Sequence, residues 1–216
     1  VLGPEHPSTL VSVNNLALLL RSKGDYAGAQ PLFERALEAS ERVLGPEHPS
    51  TLVSVNNLAF LLSHKGDYAG AQPLYERALE ARERVLGPEH PDTLGSVDNL
   101  AFLLERKGDY AGAQPLYERA LKGLLKISAA TRRPHPNLQT FVANYAGCLQ
   151  KMGLGDAEIR DALNALMRPF GMSVGGETAG AAGSSNDPSP KLRAVLEEIM
   201  RDPSKLQEIA ARLQRD

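Results

Sequence analysis

One string sets the terms for the whole chain. VLGPEHPSTLVSVNNLAFLLSHKGDYAGAQPLYERALEARER fills positions 43–84, and close copies of it stand at 1–42 and 85–126. The first two copies differ only at Leu18/Phe60, Arg21/Ser63, Ser22/His64, Phe33/Tyr75 and Ser40/Arg82. A fixed period of 42 residues implies an α-solenoid, in which each unit buries its apolar face on its neighbours rather than on itself. Function is then expected on a surface shared by several units, not in one pocket.

Within a copy, the apolar residues recur at helical period. Leu10, Val13, Leu16, Ala17 and Leu20 form a stripe over about 8–23, the spacing of one helix face. Gly24 stops this helix and Asp25 caps the next. The second helix spans Tyr26 to Leu44, with Ala29, Leu32, Phe33, Ala36, Leu37 and Leu44 on its buried side. Pro31 stands inside it, as do Pro73 and Pro115 in the later copies, and a bend or a loosened first turn is expected there. Gly45-Pro46 closes the unit. Each copy thus reads as helix A, a tight Gly-Asp turn, a longer helix B and a G-P-E-H-P loop. The repeats are expected at about 8–45, 50–87 and 92–127. A drifted fourth unit at 134–170, with helices near 137–152 and 156–168, is the expected cap.

Small residues stand where the two helices cross (Ala17, Ala29, Ala36 and their equivalents), and Phe33, Tyr75 or Tyr117 follows four residues after the first helix-B alanine. Together with N-N-L-A, G-D-Y-x-x-A-x-P-L-Y/F-x-R-A-L and V-L-G-P-E-H-P, this resembles the tetratricopeptide repeat in its longer, kinesin light chain-like form. The resemblance covers 1–126 closely and 127–172 more loosely. It implies an all-α right-handed superhelix of antiparallel helix pairs, with A helices on the concave side. It also implies a non-enzymatic module for protein–protein interaction. High identity between copies points to recent duplication and a bacterial array.

That geometry turns one position of every A helix into the groove. Asn15, Asn57, Asn99 and Asn144 are expected to form a ladder of amides, each able to donate to and accept from the backbone of an extended peptide. Asn14, Asn56 and Asp98 stand beside them. Leu18, Phe60 and Phe102 lie one turn on, as an apolar strip. The same asparagines could instead bond across to neighbouring helices and only shape the solenoid. At the groove edge the copies differ, with Arg21, His64, Arg106 and Lys151 as candidate specificity residues; free surface drift accounts for them equally well. Co-chaperone domains of the resembled family clamp a C-terminal carboxylate with a Lys/Asn pair, an Asn and a Lys/Arg pair on successive A helices. Only Asn57 matches that pattern, while Asn14, Leu18, Gly95 and Asn99 depart from it.

Other chemistry finds little support. Net charge is −2 and Trp is absent among the 216 residues, against a nucleic-acid surface. Four histidines, His6, His48, His90 and His135, fall one per unit and so about 10 Å apart, too far for one zinc ion; they read as loop hydrogen-bonders. Cys148, the one cysteine, reads as a small core residue and fits a reducing, cytoplasmic setting. No cofactor or metal is expected, and no apolar run would span a bilayer. The chain opens within a unit, which suggests a piece of a longer protein. Two alternatives to a peptide-binding scaffold follow: the sensor arm of a larger signalling ATPase, or a self-assembling array. Residues 173–190 read as a flexible linker. Residues 191–216 read as an amphipathic helical hairpin whose Asp202-Pro203 turn resembles the STI1-type motif of co-chaperones. Self-association is expected through that tail or through the exposed N-terminal end.

Overall fold

The computed structural model describes Gly3 and residues 5–172; the linker and the helical hairpin expected at 173–216 lie outside the described residues. Within them are eight α-helices and no strand. The A helices are α1 (Pro7–Ser22), α3 (Pro49–Lys65), α5 (Pro91–Arg106) and α7 (Leu138–Lys151). The B helices are α2 (Tyr26–Leu44), α4 (Tyr68–Leu86), α6 (Tyr110–Thr131) and α8 (Asp156–Met167), followed by a 3-10 turn at Arg168–Phe170. The helices divide into two compact units, α1–α5 up to Asp109 and α6–α8 from Tyr110.

Helix starts follow from two capping devices written into every copy. In the A helices a proline takes the first position, where its missing N–H costs nothing. The histidine before it turns its ring onto the helix. Nδ1 of His6, His48 and His90 accepts from the backbone N–H of Ser8, Ser50 and Asp92, each at 3.2 Å. These imidazoles are therefore helix caps. In the B helices Asp25 and Asp67 accept from the Gly28 and Gly70 N–H at 2.8 and 2.9 Å. The glycines are required: a Cβ added at Gly28 would sit 2.5 Å from Asp25 Oδ2. Gly66 ends α3 in the left-handed region, φ 84°, which other residues adopt at a cost. Helices α2, α4 and α6 stay α-helical through Pro31, Pro73 and Pro115. All three prolines are exposed, so water can serve the carbonyl that each leaves without its helical donor.

The caps carry a prediction. His48→Ala should lower stability by about 1 kcal/mol, whereas His48→Asn, which keeps an acceptor, should lose much less. Chemical denaturation of both variants measures this. In the second unit His135 makes the same local bond in the turn just before α7, accepting from the Asn137 N–H at 3.2 Å, and burial holds its imidazole below the ordinary value. The folded chain thus takes up that proton less readily than the unfolded chain. Its contribution is complete above the ordinary value near 6.5 and is lost as pH falls through the lowered one. His135→Asn should flatten this acid limb of the stability profile.

In the first unit α1 pairs with α2 and α3 with α4, while α2 packs on α3 and α4 on α5. Ala17, Ala29, Ala59 and Ala71 are fully buried at the crossings, and Phe33 and Tyr75 fill the space beside them. Small residues let the helix backbones approach; the rings then fill what remains. One expected core residue lies elsewhere. Leu16 is half exposed, as is Leu19, because α1 has no described helix against that side.

The seam between α4 and α5 holds a buried cation. Arg82 Nη1 donates to Ser96 Oγ at 2.7 Å and to the Asp92 carbonyl at 3.4 Å. Desolvation lowers its pKa, and the Asp92 charge opposes the shift. One period away the same position holds Ser40 or Leu124, both buried. Exchanging a buried charge for a well-packed apolar side chain is often neutral or stabilising. Arg82→Leu should therefore keep or raise stability, by up to about 2 kcal/mol, as read by urea denaturation.

In the second unit Leu121, Leu124 and Leu125 of α6 are buried, as are Phe141, Tyr145 and Cys148 of α7 and Leu163 of α8. Cys148 is the small core residue expected, its Sγ 3.7 Å from the Tyr110 carbonyl. The Ser128 hydroxyl donates to Leu124 O at 2.7 Å and accepts from the His135 N–H at 3.0 Å. It ties the end of α6 to the loop before α7.

Candidate functional site

Residues at i, i+4, i+7 and i+11 share one side of a helix. On α1 that side carries Val11, Asn15, Leu18 and Ser22; on α3, Val53, Asn57, Phe60 and His64; on α5, Gly95, Asn99, Phe102 and Arg106. The three rows lie in the first unit, on helices that neighbour one another.

Asn15 is exposed, and Asn57 and Asn99 are half-buried. Their amides hydrogen-bond to no other group among the described residues. The adjacent position behaves differently. Asn14 Nδ2 donates to Ser54 Oγ on α3 at 2.9 Å, so this side chain serves as a strut between A helices. Asn56 holds a buried Oδ1 with no hydrogen-bond partner among the described residues, and Asp98 is buried. Asn14 and Asp98 therefore sit in the helix seams, while Asn15, Asn57 and Asn99 keep solvent-accessible amides. Asn144 belongs to α7 of the second unit, half-buried and engaged with other groups. Lys151 ends that helix, exposed.

The apolar strip and the edge residues form one cluster. The rings of Phe60 and Phe102 lie nearly parallel, centroids 6.3 Å apart and planes 12° apart. His64 stacks on Phe60 at 4.0 Å and on Phe102 at 6.0 Å. Its Nδ1 lies 2.9 Å from the Phe60 carbonyl, which holds the ring flat against its neighbours. Two guanidinium groups close the ends: Arg21 Cζ is 4.6 Å from the Phe60 ring centre, and Arg106 Cζ is 6.0 Å from that of Phe102. Such cation–π contacts contribute about 0.5–1 kcal/mol each at exposed sites. They hold two positive charges beside an apolar platform. Leu18 stands half-buried beside it on α1.

Two features escaped the reading of the sequence. Val11 and Val53 are 55% and 48% exposed, one turn before Asn15 and Asn57, and extend the apolar strip. Their i−4 spacing from the asparagines was the available signal. Gly95 replaces this valine on α5, and a Cβ added there would meet nothing within 4 Å. The strip therefore dips at its third row. Among the described residues no cluster of His, Cys, Asp and Glu could hold a metal ion, and no helix is long and apolar enough to cross a membrane.

Sequence models of the tetratricopeptide repeat match residues 9–50 and 53–126. No curated protein matches the chain. Among solved structures, one of nearly identical TPR-like repeats from Podosopora anserina, described as kinesin light chain, is 25% identical, with 97% of each chain covered and a TM-score of 0.65. A variant of that same protein is 22% identical over the whole of both chains, TM-score 0.64. BtubC (BKLC) from P. vanneervenii is 22% identical over 82% of this chain and 68% of its own, TM-score 0.63, a likeness of fold alone.

Proposed function

From a chain that belongs to the tetratricopeptide-repeat family, in its kinesin light chain-like form, and that is an all-α solenoid, we propose a scaffold that binds an extended peptide segment along α1, α3 and α5. Repeats of this kind support a protein-interaction role in general. The finer reading rests on one observation: Asn15, Asn57 and Asn99 repeat on three neighbouring A helices, with amides that no other described residue uses, beside a platform of stacked rings.

An extended peptide has one N–H and one C=O per residue, and a carboxamide answers both. The amides would therefore hold the backbone whatever its sequence. Selectivity would come from the platform. Val11, Val53, Leu18, Phe60 and Phe102 offer apolar contact, and the Gly95 dip leaves room for a larger side chain. Arg21 and Arg106 favour carboxylates next to that side chain. Asn14, Asp98 and Asn56 would support the groove from behind. Asn144 and Lys151 are engaged with other groups in the second unit and stay outside this reading.

Peptides selected from a random display library against the full chain supply the ligand for a test. Asn57→Ala and Asn99→Ala should each weaken binding by about two- to tenfold, the loss of one or two hydrogen bonds. Unchanged affinity in both variants would defeat this reading.

A further inference from the structure

Rows that repeat from helix to helix impose a period on whatever lies across them. Asn15, Asn57 and Asn99 each carry an amide that no other described residue uses. Helix α1 neighbours α3, and α3 neighbours α5; helices packed side by side lie about 8–10 Å apart. A chain crossing them meets the next amide, and the next apolar contact, after that distance.

The two extended backbone forms answer this step differently. A β-strand rises about 3.3 Å per residue and turns alternate side chains to opposite faces, so same-face residues recur at about 7 and 13 Å. Neither distance reaches the middle row. Polyproline II rises about 3.1 Å per residue with about three residues per turn, so every third residue faces the same way after about 9 Å. It presents one turn to each row.

The floor suits that form too. The Phe60 and Phe102 planes are 12° apart and His64 stacks on both; flat aromatic floors of this kind dock proline rings. Polyproline II makes no internal hydrogen bonds, so its carbonyls can accept from the amide Nδ2 groups. Proline has no N–H to offer in return, and a carboxamide supplies the donors. Arg21 and Arg106 stand at the two ends of the ring cluster, and none of the three rows carries a carboxylate. Acidic side chains between the prolines meet that charge.

The geometry points to a proline-rich partner segment in polyproline II form, with proline or another apolar residue at every third position and carboxylates between; this presupposes the peptide site proposed above. The third row, where Gly95 leaves open space, takes the largest of the apolar side chains.

Two synthetic peptides of about ten residues, three turns of that helix, test this by calorimetric titration against the full chain. One carries proline at every third position, with alanine and aspartate between. The other holds the same residues with the prolines at every second position. The first should bind about tenfold tighter or more. Asn57→Asp, which keeps acceptors and loses the donors, should weaken it at least as much as Asn57→Ala. Equal affinity for the two peptides, no binding of the first, or full affinity in Asn57→Asp overturns the inference. Library-selected peptides that need Asn57 and Asn99 but carry their apolar residues at alternate positions also overturn it, and leave the peptide site standing. Binding that ignores both asparagines defeats the site itself.

Discussion

Tyr75→Ala should cost about 3–5 kcal/mol, the range for emptying a buried aromatic site, and Tyr75→Phe should cost nothing or stabilise. The ring is fully buried in the core of the first unit, so its removal leaves a cavity that fixed helices cannot collapse into. The hydroxyl contributes no such gain. It is buried without a hydrogen-bond partner among the described residues, and deleting an unsatisfied polar group relieves about 1–3 kcal/mol of desolvation. The chain already shows the alternative, with fully buried Phe33 at the same position one period earlier.

Equilibrium denaturation of the two variants measures both effects. A pH series adds a third. Burial pushes the Tyr75 phenol far up, and the nearby Arg21 charge opposes the shift only in part. The folded chain holds that proton more tightly than the unfolded chain. The stabilising contribution is complete below the ordinary phenol value near 10 and is lost as pH rises toward the raised one. Tyr75→Phe should remove this part of the alkaline limb.

Phe60→Ala and Phe102→Ala should each weaken a selected peptide by about 2 kcal/mol or more, about thirtyfold, as expected for central aromatic contacts. Phe60 is the stronger test. It stacks on His64 and Phe102 and lies under Arg21, so its loss removes the support of the whole cluster. Both rings are only partly buried, and the cost to folding should be smaller than at Tyr75. Val85→Ala, on an exposed valine of α4, should leave affinity unchanged. Calorimetric titration compares all three. Equal affinity for Phe60→Ala and the parent would remove the platform from the binding surface.

Much of this is legible in the residues because the period repeats each signal. Asp25, Gly28, Pro7 and Gly66 each have a local geometric role, and local roles can be read from neighbours in sequence. The crossing alanines and Phe33 are legible for the same reason. Contacts between units are harder. Asn14 and Asn15 are adjacent, yet one bonds Ser54 across a seam and the other stays open. A rotation of about 100° around the helix axis separates the two, and only the packing of α1 on α3 decides which faces inward.

Leu16 marks the same limit. Periodicity identifies an apolar face, but burial also needs a neighbour to cover it. The cluster of Arg21, Phe60, His64, Phe102 and Arg106 joins three helices. Its members are visible one by one as groove and edge residues, while their stacking depends on the spacing of α1, α3 and α5.

A direct measurement of the central claim is photo-cross-linking of a selected peptide, carrying a benzophenone at each position in turn, to the full chain. The adducts should map to the open rows of α1, α3 and α5, around Val53, Asn57, Phe60, Asn99 and Phe102, and should advance from row to row along the peptide. Adducts confined to the B helices, around Glu38, Glu80 or Val85, would contradict it.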